Sequence, residues 1–287
     1  MSDDGYRAPA ELMRRYGLAA KKSWGQCFLH EPSIARRIVT AIGASEDETV
    51  VEIGAGLGAL TGLLARRHRR VVAIERDRDL VAVLREALAD EPNIELHEAN
   101  ALTFDFGSVG EALHVVGNLP YNISSPLLFH LLAHRPVVRS ATVMLQRELA
   151  QRLTARPGSR LYGAPTITLG LRARIATVLQ VRRGAFLPPP NVDSTVIHLD
   201  FSVATTLTPA ADALLERVVR GAFSARRKKL RKALSAHFAM DVLDAAFAAA
   251  EIDSGLRAEM LSLGDFARLT EAIAMEAKDV GLEAKGG

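Results

Sequence analysis

The chain has 287 residues, of which 48% are hydrophobic and 24% are charged. Its net charge of +3 and pI near 9.2 give it a small basic excess that suits an anionic partner. This composition excludes a disordered or fibrous chain. One cysteine, Cys27, excludes an intrachain disulfide and a Cys-rich metal site. No apolar run spans a bilayer and no signal peptide is apparent, so we expect a soluble, cytoplasmic protein without membrane contacts.

Hydrophobic periodicity predicts alternating helices and strands over the first half of the chain. A short N-terminal arm with a helix at 9–16 precedes an amphipathic helix at 33–42. Strands are predicted at 49–53, 71–74, 94–97, 113–117 and 141–145, and helices at 58–67, 77–89, 124–134 and from residue 147. This alternation predicts a parallel sheet with helices on both faces.

The pattern changes towards the C-terminus. Two β-rich segments, 175–181 and 192–201, flank a Pro-rich loop and predict an antiparallel pair at the sheet edge. Only helical periodicity follows Pro209, with segments at 210–223, 228–238, 242–252 and 264–277. We therefore expect an α/β domain at 1–204, including the N-terminal arm, and a smaller all-helical domain at 205–287.

A glycine-rich turn follows the first strand of the predicted sheet. Gly54 and Gly56 let the turn be tight and let a ligand approach the backbone. Glu75 ends the next strand and can accept hydrogen bonds from both ribose hydroxyls. The pattern indicates a nucleoside-containing cofactor. It matches the glycine turn of dinucleotide-binding proteins as well as the glycine loop of methyltransferases. Asn100 is either an adenine contact or a turn residue.

The sequence Asn-Leu-Pro-Tyr at 118–121 ends the fourth predicted strand. Asn118 offers a side-chain carbonyl, and Pro120 stiffens the backbone so that the Leu119 carbonyl can face a ligand. Tyr121 offers a flat aromatic face. Two acceptors beside an aromatic ring suit the exocyclic amino group of a planar base. The alternative is a strand-terminal turn with a packed tyrosine.

Cations are concentrated between residues 226 and 232. Six of these seven residues are basic: Arg226, Arg227, Lys228, Lys229, Arg231 and Lys232. Positive charge at the start of a helix is unfavourable unless phosphates neutralise it, so the run predicts RNA binding. The smaller cluster at 66–70 is expected to be a solvated surface. The histidines show no metal-ligand spacing, and no metal is predicted.

Four motifs occur in an order that makes the chain resemble the KsgA/RsmA family of ribosomal RNA small-subunit adenine N6,N6-dimethyltransferases. They lie at residues 25–29, 51–61, 118–124 and 186–194, and the likeness continues at 222–231 and 257–263. The resemblance implies a Rossmann-like class I methyltransferase fold with S-adenosyl-L-methionine as cofactor. It also implies dimethylation of two adjacent adenosines near the 3′ end of 16S rRNA in an assembling small subunit. We expect the protein to be a monomer.

The same resemblance implies roles for individual residues. The cofactor is expected to contact Gln26, Cys27, Leu29, Gly54, Gly56, Glu75, Asn100 and Asn118. The target amino group is expected between Asn118 and the carbonyl of Leu119, beside Pro120. Tyr121 would stack on the base and Phe186 would cover its other side.

Three positions depart from the pattern of this family. Cys27 stands where Asn or His is usual, Asn100 where Asp is common, and Asn191 where Lys is usual. A thiol is a weaker donor, and the missing lysine removes one possible phosphate contact. None of these positions belongs to the Asn-Leu-Pro-Tyr sequence, so activity is expected to survive.

Three other functions are compatible with parts of the sequence. A large-subunit rRNA methyltransferase would keep the chemistry and change the target. A ribosome assembly factor would keep the fold and the basic surface with little catalysis. A nicotinamide dehydrogenase would use the same glycine turn, and protection from thermal unfolding by NADH would reveal it.

Overall fold

A computed structural model describes residues 5–21, 24–203, 207–225 and 228–279. The chain forms two compact units. The first unit consists of Met1–Ala150 and Arg174–Ser202, and the second consists of Gln151–Ala173 and Val203–Gly287. Within the described ranges, no helix is long and apolar enough to cross a membrane.

The first unit is built on a mixed β-sheet. The strands are β1 (Phe28–Leu29), β2 (Val50–Ile53), β3 (Val71–Glu75), β4 (Ile94–Glu98), β5 (Leu113–Asn118), β6 (Val138–Gln146), β7 (Arg174–Val181), β8 (Phe186–Leu187) and β9 (Ser194–Asp200). Among the described residues, seven strands form one sheet in the order β4, β3, β2, β5, β6, β9, β7. Neighbours among β2 to β6 are parallel, and β9 runs antiparallel to β6 and β7. The predicted parallel sheet with an antiparallel edge pair is confirmed.

Helices flank this sheet and make up most of the second unit. They are α1 (Pro9–Arg15), α2 (Pro32–Ala41), α3 (Thr61–Ala65), α4 (Arg78–Ala87), α5 (Ser124–Ala133), α6 (Arg147–Leu153), α7 (Ala164–Gly170), α8 (Pro209–Phe223), α9 (Leu230–Leu234), α10 (Met240–Ala249) and α11 (Leu263–Asp279). In α4, the Asp77 side chain caps the amino end by accepting from the Asp79 N–H. Leu80 and Leu84, one turn apart, are buried, and Leu84 packs with Ala73 of β3.

The central strands are buried on both faces, as parallel sheets require. Val50, Val51 and Ile53 of β2 are at most 2% exposed. The carboxyl ends of β2, β3 and β5 lie at one edge of the sheet, because these strands pair in parallel. Loops that follow these strands therefore meet at that edge.

Three elements were absent from the sequence prediction, namely strands β1 and β8 and helix α7. The two-residue strands β1 and β8 pair antiparallel, with Leu29 opposite Phe186. Helix α7 lies in the segment 151–173, which the predicted boundary after residue 204 assigned to the sheet domain. In the structure this segment packs in the second unit, where the hydroxyl of the buried Tyr162 donates to the Leu261 carbonyl at 2.7 Å.

Candidate active site

A cavity of about 330 Å³ lies at the carboxyl ends of the parallel strands. Its lining residues come from the segment 24–29, the turn after β2, the ends of β3 and β5, and the loop after β4. Gly54, Gly56, Glu75, Asn100 and Tyr121 all line it. The structure thus brings the predicted cofactor residues and the Asn-Leu-Pro-Tyr sequence into one cavity.

The glycine turn after β2 has the backbone conformation that only glycine adopts without strain. Gly54 and Gly56 have φ angles of +73° and +59°. A Cβ atom at Gly56 would also lie 3.3 Å from the ring of Phe28. The helix α3 starts at Thr61 rather than at the predicted Gly58, because the turn itself extends through residue 58, whose φ is +80°.

Glu75 is held at the end of β3 by three backbone N–H groups. Its carboxylate accepts from Gly56 at 2.9 Å and from Arg76 and Asp77 at 2.8 Å each. Burial raises the pKa of this carboxyl, and the three hydrogen bonds oppose the rise. The acid is therefore fixed in direction, with lone pairs left to receive ligand hydroxyls.

Glu52 lies in β2 immediately before the glycine turn, and its side chain lines the cavity. It is 2% exposed, and its Oε2 atom has no hydrogen-bond partner among the described residues. Burial raises the pKa of Glu52 to about 8, the neighbouring Thr61 hydroxyl opposes the rise, and the charge of Glu75 adds to it. A buried carboxyl with one unpaired oxygen, in a residue that lines a cavity, suits a ligand that carries a donor or a positive charge.

The segment before β1 is fastened to the amino end of α4. Gln26 donates to the Asp77 carboxylate at 2.7 Å and accepts from the Lys21 N–H at 2.9 Å. The Lys21 ammonium lies 2.6 Å from the same carboxylate. Burial opposes ionisation of Asp77, but these bonds win and lower its pKa. Gln26 thus lines the cavity while both ends of its amide hold the segment in place.

The loop after β4 places Asn100 at the cavity. Its side-chain oxygen accepts from the Leu102 N–H at 3.1 Å, which closes a local turn. The NH₂ group is therefore the part of the amide that faces no local acceptor among the described residues. Asn100 is thus a turn residue that also lines the cavity, and its contact with adenine stays a prediction.

Asn118 ends β5, and its amide orientation is fixed by the backbone of residue 27. The Asn118 NH₂ group donates to the Cys27 carbonyl at 2.9 Å. A carbonyl only accepts, so the amide oxygen of Asn118 must face away from it. No donor in the described part of the chain reaches the Leu119 carbonyl. Two acceptors are thus left for a ligand.

Tyr121 is the aromatic residue beside these acceptors. Its hydroxyl lies 2.8 Å from the hydroxyl of Ser194 at the start of β9. Burial raises the pKa of Tyr121, while the bond to Ser194 opposes the rise. Because Ser194 is fully buried, it holds one end of the tyrosine ring against a rigid strand.

Similarity to known proteins shows the family of this chain. Residues 17–275 match the family of ribosomal RNA adenine dimethylases. The chain belongs to that family. It is therefore an rRNA adenine dimethyltransferase with S-adenosyl-L-methionine as methyl donor, as the motifs predicted. The residues present fit this cofactor, because the unpaired Glu52 acceptor, the glycine turn and the fixed Glu75 carboxylate lie in one cavity.

Curated relatives of the dimethylase match over nearly their whole length. The chain is 46% identical to the ribosomal RNA small subunit methyltransferase A of Aromatoleum aromaticum, over 89% of this chain and 94% of the relative. It is 44% identical to the protein of the same name from Pseudomonas aeruginosa, over 90% and 96%.

Two solved structures resemble the dimethylase closely. A dimethyladenosine transferase from Plasmodium falciparum has a TM-score of 0.74 at 27% identity, over 88% of this chain and 98% of that one. The 23S rRNA methyltransferase ErmE has a TM-score of 0.71 at 29% identity, over 86% and 99%.

Most predicted cofactor and base residues of the dimethylase line the cavity, but Phe186 does not. Cys27, Leu29, Leu119 and Pro120 all line it. Phe186 is 1% exposed and packs in the hydrophobic core of the first unit. Because β8 pairs with β1, Phe186 lies opposite Leu29 and is buried in the same hydrophobic cluster. The expected role of Phe186 as a cover over the base stays a prediction.

The predicted RNA-binding run lies in the second unit of the dimethylase. Arg226 and Arg227 fall outside the described residues, and Lys228, Lys229 and Lys232 are exposed. Arg231 forms two bonds of 2.6 and 2.7 Å with the carboxylate of Asp244. The described part of the run thus contains three exposed lysines and one arginine that is already paired.

Glu52 and Ser194 were missed as functional residues of the dimethylase. A sequence signal existed for the first, because Glu52 is the only charged residue of an otherwise apolar strand. Ser194 stands within a recognised motif, but its contact with Tyr121 depends on strand pairing that the sequence does not state.

Proposed function

We propose that this chain dimethylates N6 of two adjacent adenosines near the 3′ end of 16S rRNA, in the cytoplasm and as a monomer acting on an assembling small subunit. The names of the relatives at 46% and 44% identity support the small-subunit target. The observation that carries the proposal is the pair of acceptors at Asn118 and Leu119 beside the Tyr121 ring.

The chemistry follows from the weakness of the nucleophile. The lone pair of an adenine amino nitrogen is delocalised into the ring, so the nitrogen attacks poorly. The Asn118 oxygen and the Leu119 carbonyl accept hydrogen bonds from its two N–H groups and favour a tetrahedral nitrogen, which localises the lone pair. Tyr121 holds the plane of the base by stacking. S-adenosyl-L-methionine supplies an electrophilic methyl group on a sulfonium.

No separate general base is needed in this arrangement. The methylated nitrogen is strongly acidic while it is positively charged, and it loses its proton to water or to a neighbouring carbonyl. Once one methyl group is present, a single N–H remains. The same two acceptors can therefore receive only one hydrogen bond from the amine. Positioning of the base by Tyr121 becomes more important for the second methyl transfer.

The exposed lysines of the basic run are the proposed contacts to rRNA in the second unit. Lys229 and Lys232 line a cavity of about 350 Å³ together with Ser235 and Ser254. Lysine ammonium groups bind phosphate as point charges, and the hydroxyls add donors. Arg231 is proposed to hold α9 to α10 through Asp244, because its guanidinium is already occupied by two bonds.

The test is transfer of labelled methyl groups to unmethylated small subunits, large subunits and naked rRNA, followed by mapping of the modified bases. Dimethyladenosine at adjacent sites of small-subunit rRNA is expected. Asn118→Ala should lose methyl transfer by about 10²-fold or more while retaining cofactor binding. Equal loss of both would contradict the role of Asn118.

The alternative is a large-subunit target. The observation that supports it is the structural likeness to ErmE, which is a 23S rRNA methyltransferase. The same assay separates the two targets, since label on large-subunit RNA alone would select this alternative. Cofactor binding without label on any substrate would instead indicate an assembly factor.

A further inference from the structure

The strand pairing places an arginine cluster beside Tyr121. Gln146 at the end of β6 and Val181 at the end of β7 both pair with Ser194. Ser194 in turn contacts the Tyr121 hydroxyl at 2.8 Å. The residues that follow these two strands are Arg147 and Arg182. Both therefore emerge from one row of the sheet, at the edge where the target base is bound.

Asp193 organises this cluster through its backbone and its side chain. Its carbonyl accepts from the Arg147 N–H at 3.0 Å, and its carboxylate accepts from the Arg183 N–H at 3.1 Å. The carboxylate also lies 3.5 Å from the Arg147 guanidinium. One acid thus fixes the backbone of both segments but neutralises at most one of three cations.

The guanidinium groups remain available to a ligand. Arg182 and Arg183 are exposed, and neither has an ion-pair partner among the described residues. The Arg147 side chain is 54% exposed. A nucleotide whose base stacks on Tyr121 must bring its own phosphates to this edge of the cavity. Arginine binds phosphate with two parallel hydrogen bonds and stays charged at every working pH.

We propose that Arg147, Arg182 and Arg183 form an arginine rim that binds the phosphodiester groups on either side of the target adenosine. This inference rests on the proposed function and adds an RNA contact within the first unit, separate from the basic run. It also accounts for Asn191, where the resembled family usually has Lys. Arg182 and Arg183 supply exposed guanidinium groups in the connection between β7 and β9, which also contains Asn191.

The rim is tested with Arg182→Gln combined with Arg183→Gln. The Asp193 carboxylate bonds to the backbone of residue 183, so the substitution leaves that contact in place. The matched control is Arg139→Gln combined with Arg174→Gln. These arginines lie on β6 and β7 as well, but at the opposite end of the sheet. Both pairs remove the same charge.

In steady-state methylation of small subunits, we expect the rim variant to have a KM about 10-fold above that of the wild type and a kcat within about twofold of it. The reason is that phosphate binding is lost equally in the ground state and the transition state. The slope of log affinity against log salt should fall by about one to two. Binding of S-adenosylhomocysteine and the Tm should match the control variant. Arg182→Lys with Arg183→Lys should restore part of the affinity.

The experiment separates failure of the proposed function from failure of the arginine rim. If wild-type enzyme labels no small-subunit RNA, the proposed function fails. If the wild type labels it and the rim and control variants share one KM and one salt slope, the rim is overturned. A fall in kcat with an unchanged salt slope would also overturn it, since that result indicates damage to the fold and not loss of a phosphate contact.

Discussion

Replacing Glu52 by Gln should make the free enzyme more stable, and increasingly so as the pH rises. The pKa of Glu52 is about 8 in the folded chain, against a reference value of 4.5. Between these values the folded state keeps a proton that the unfolded chain has released. The contribution of this residue to stability is therefore full below about pH 4.5 and falls as the pH rises towards 8.

The size of the effect follows from the two pKa values. At about 1.4 kcal/mol per pH unit, the loss between pH 5.5 and 8 is at most about 3 kcal/mol. For a unit of this size, that corresponds to a Tm difference of about 6 to 12 °C. Gln has the same shape and no proton to bind, so Glu52→Gln removes the loss. Burial lowers the pKa of His68, so the contribution of His68 to stability rises with pH instead of falling. This contribution is common to the wild type and Glu52→Gln and cancels in their difference.

The assay is thermal or urea unfolding at pH 5.5, 7 and 8 for the wild type, Glu52→Gln and Glu111→Gln. The exposed Glu111 serves as the matched control. The advantage of Glu52→Gln over the wild type should grow with pH, while the control should follow the wild type. Parallel curves for all three proteins would refute the assignment of a protonated, buried Glu52.

The stabilised variant should also bind the cofactor less well, a common cost of stabilising an active site. Trp24 is the only tryptophan of the chain and lines the cavity. Its fluorescence can therefore report the binding of S-adenosylhomocysteine. We expect a higher Kd for Glu52→Gln than for the control.

Two further predictions concern the base and the RNA. Ser194→Ala should reduce kcat by about tenfold, because the Tyr121 ring loses the hydrogen bond that holds it. The substitution should add little to the effect of Tyr121→Phe, since both remove the same hydrogen bond. The control is Ser140→Ala, which removes the buried hydrogen-bond partner of His114. Lys229→Gln with Lys232→Gln should lower the salt dependence of RNA binding by about two. An unchanged slope would mean that these lysines are only a solvated surface.

The sequence predicted the sheet and the cavity well, because both depend on local patterns. Apolar runs such as residues 50–53 identify buried strands, and the glycines at 54 and 56 report a backbone conformation directly. Parallel pairing then brings Glu75 and Asn118 to one edge without further information.

The remaining features depend on contacts between distant residues. Phe186 was expected at the base, but its position is set by the pairing of β8 with β1, two strands too short to give a period. The segment 151–173 follows the last parallel strand, yet its apolar residues are buried by helices more than 40 residues further along the chain. The pairing of Arg231 with Asp244 likewise divides the basic run in a way that composition does not show.

The hydrogen bond from Asn118 to residue 27 uses a main-chain carbonyl. The atom that sets the direction of the Asn118 amide is therefore supplied by the peptide backbone, which every amino acid possesses. Residue 27 can change between Asn, His and Cys during evolution without turning that amide. The orientation of the acceptor therefore does not depend on which side chain occupies the neighbouring position.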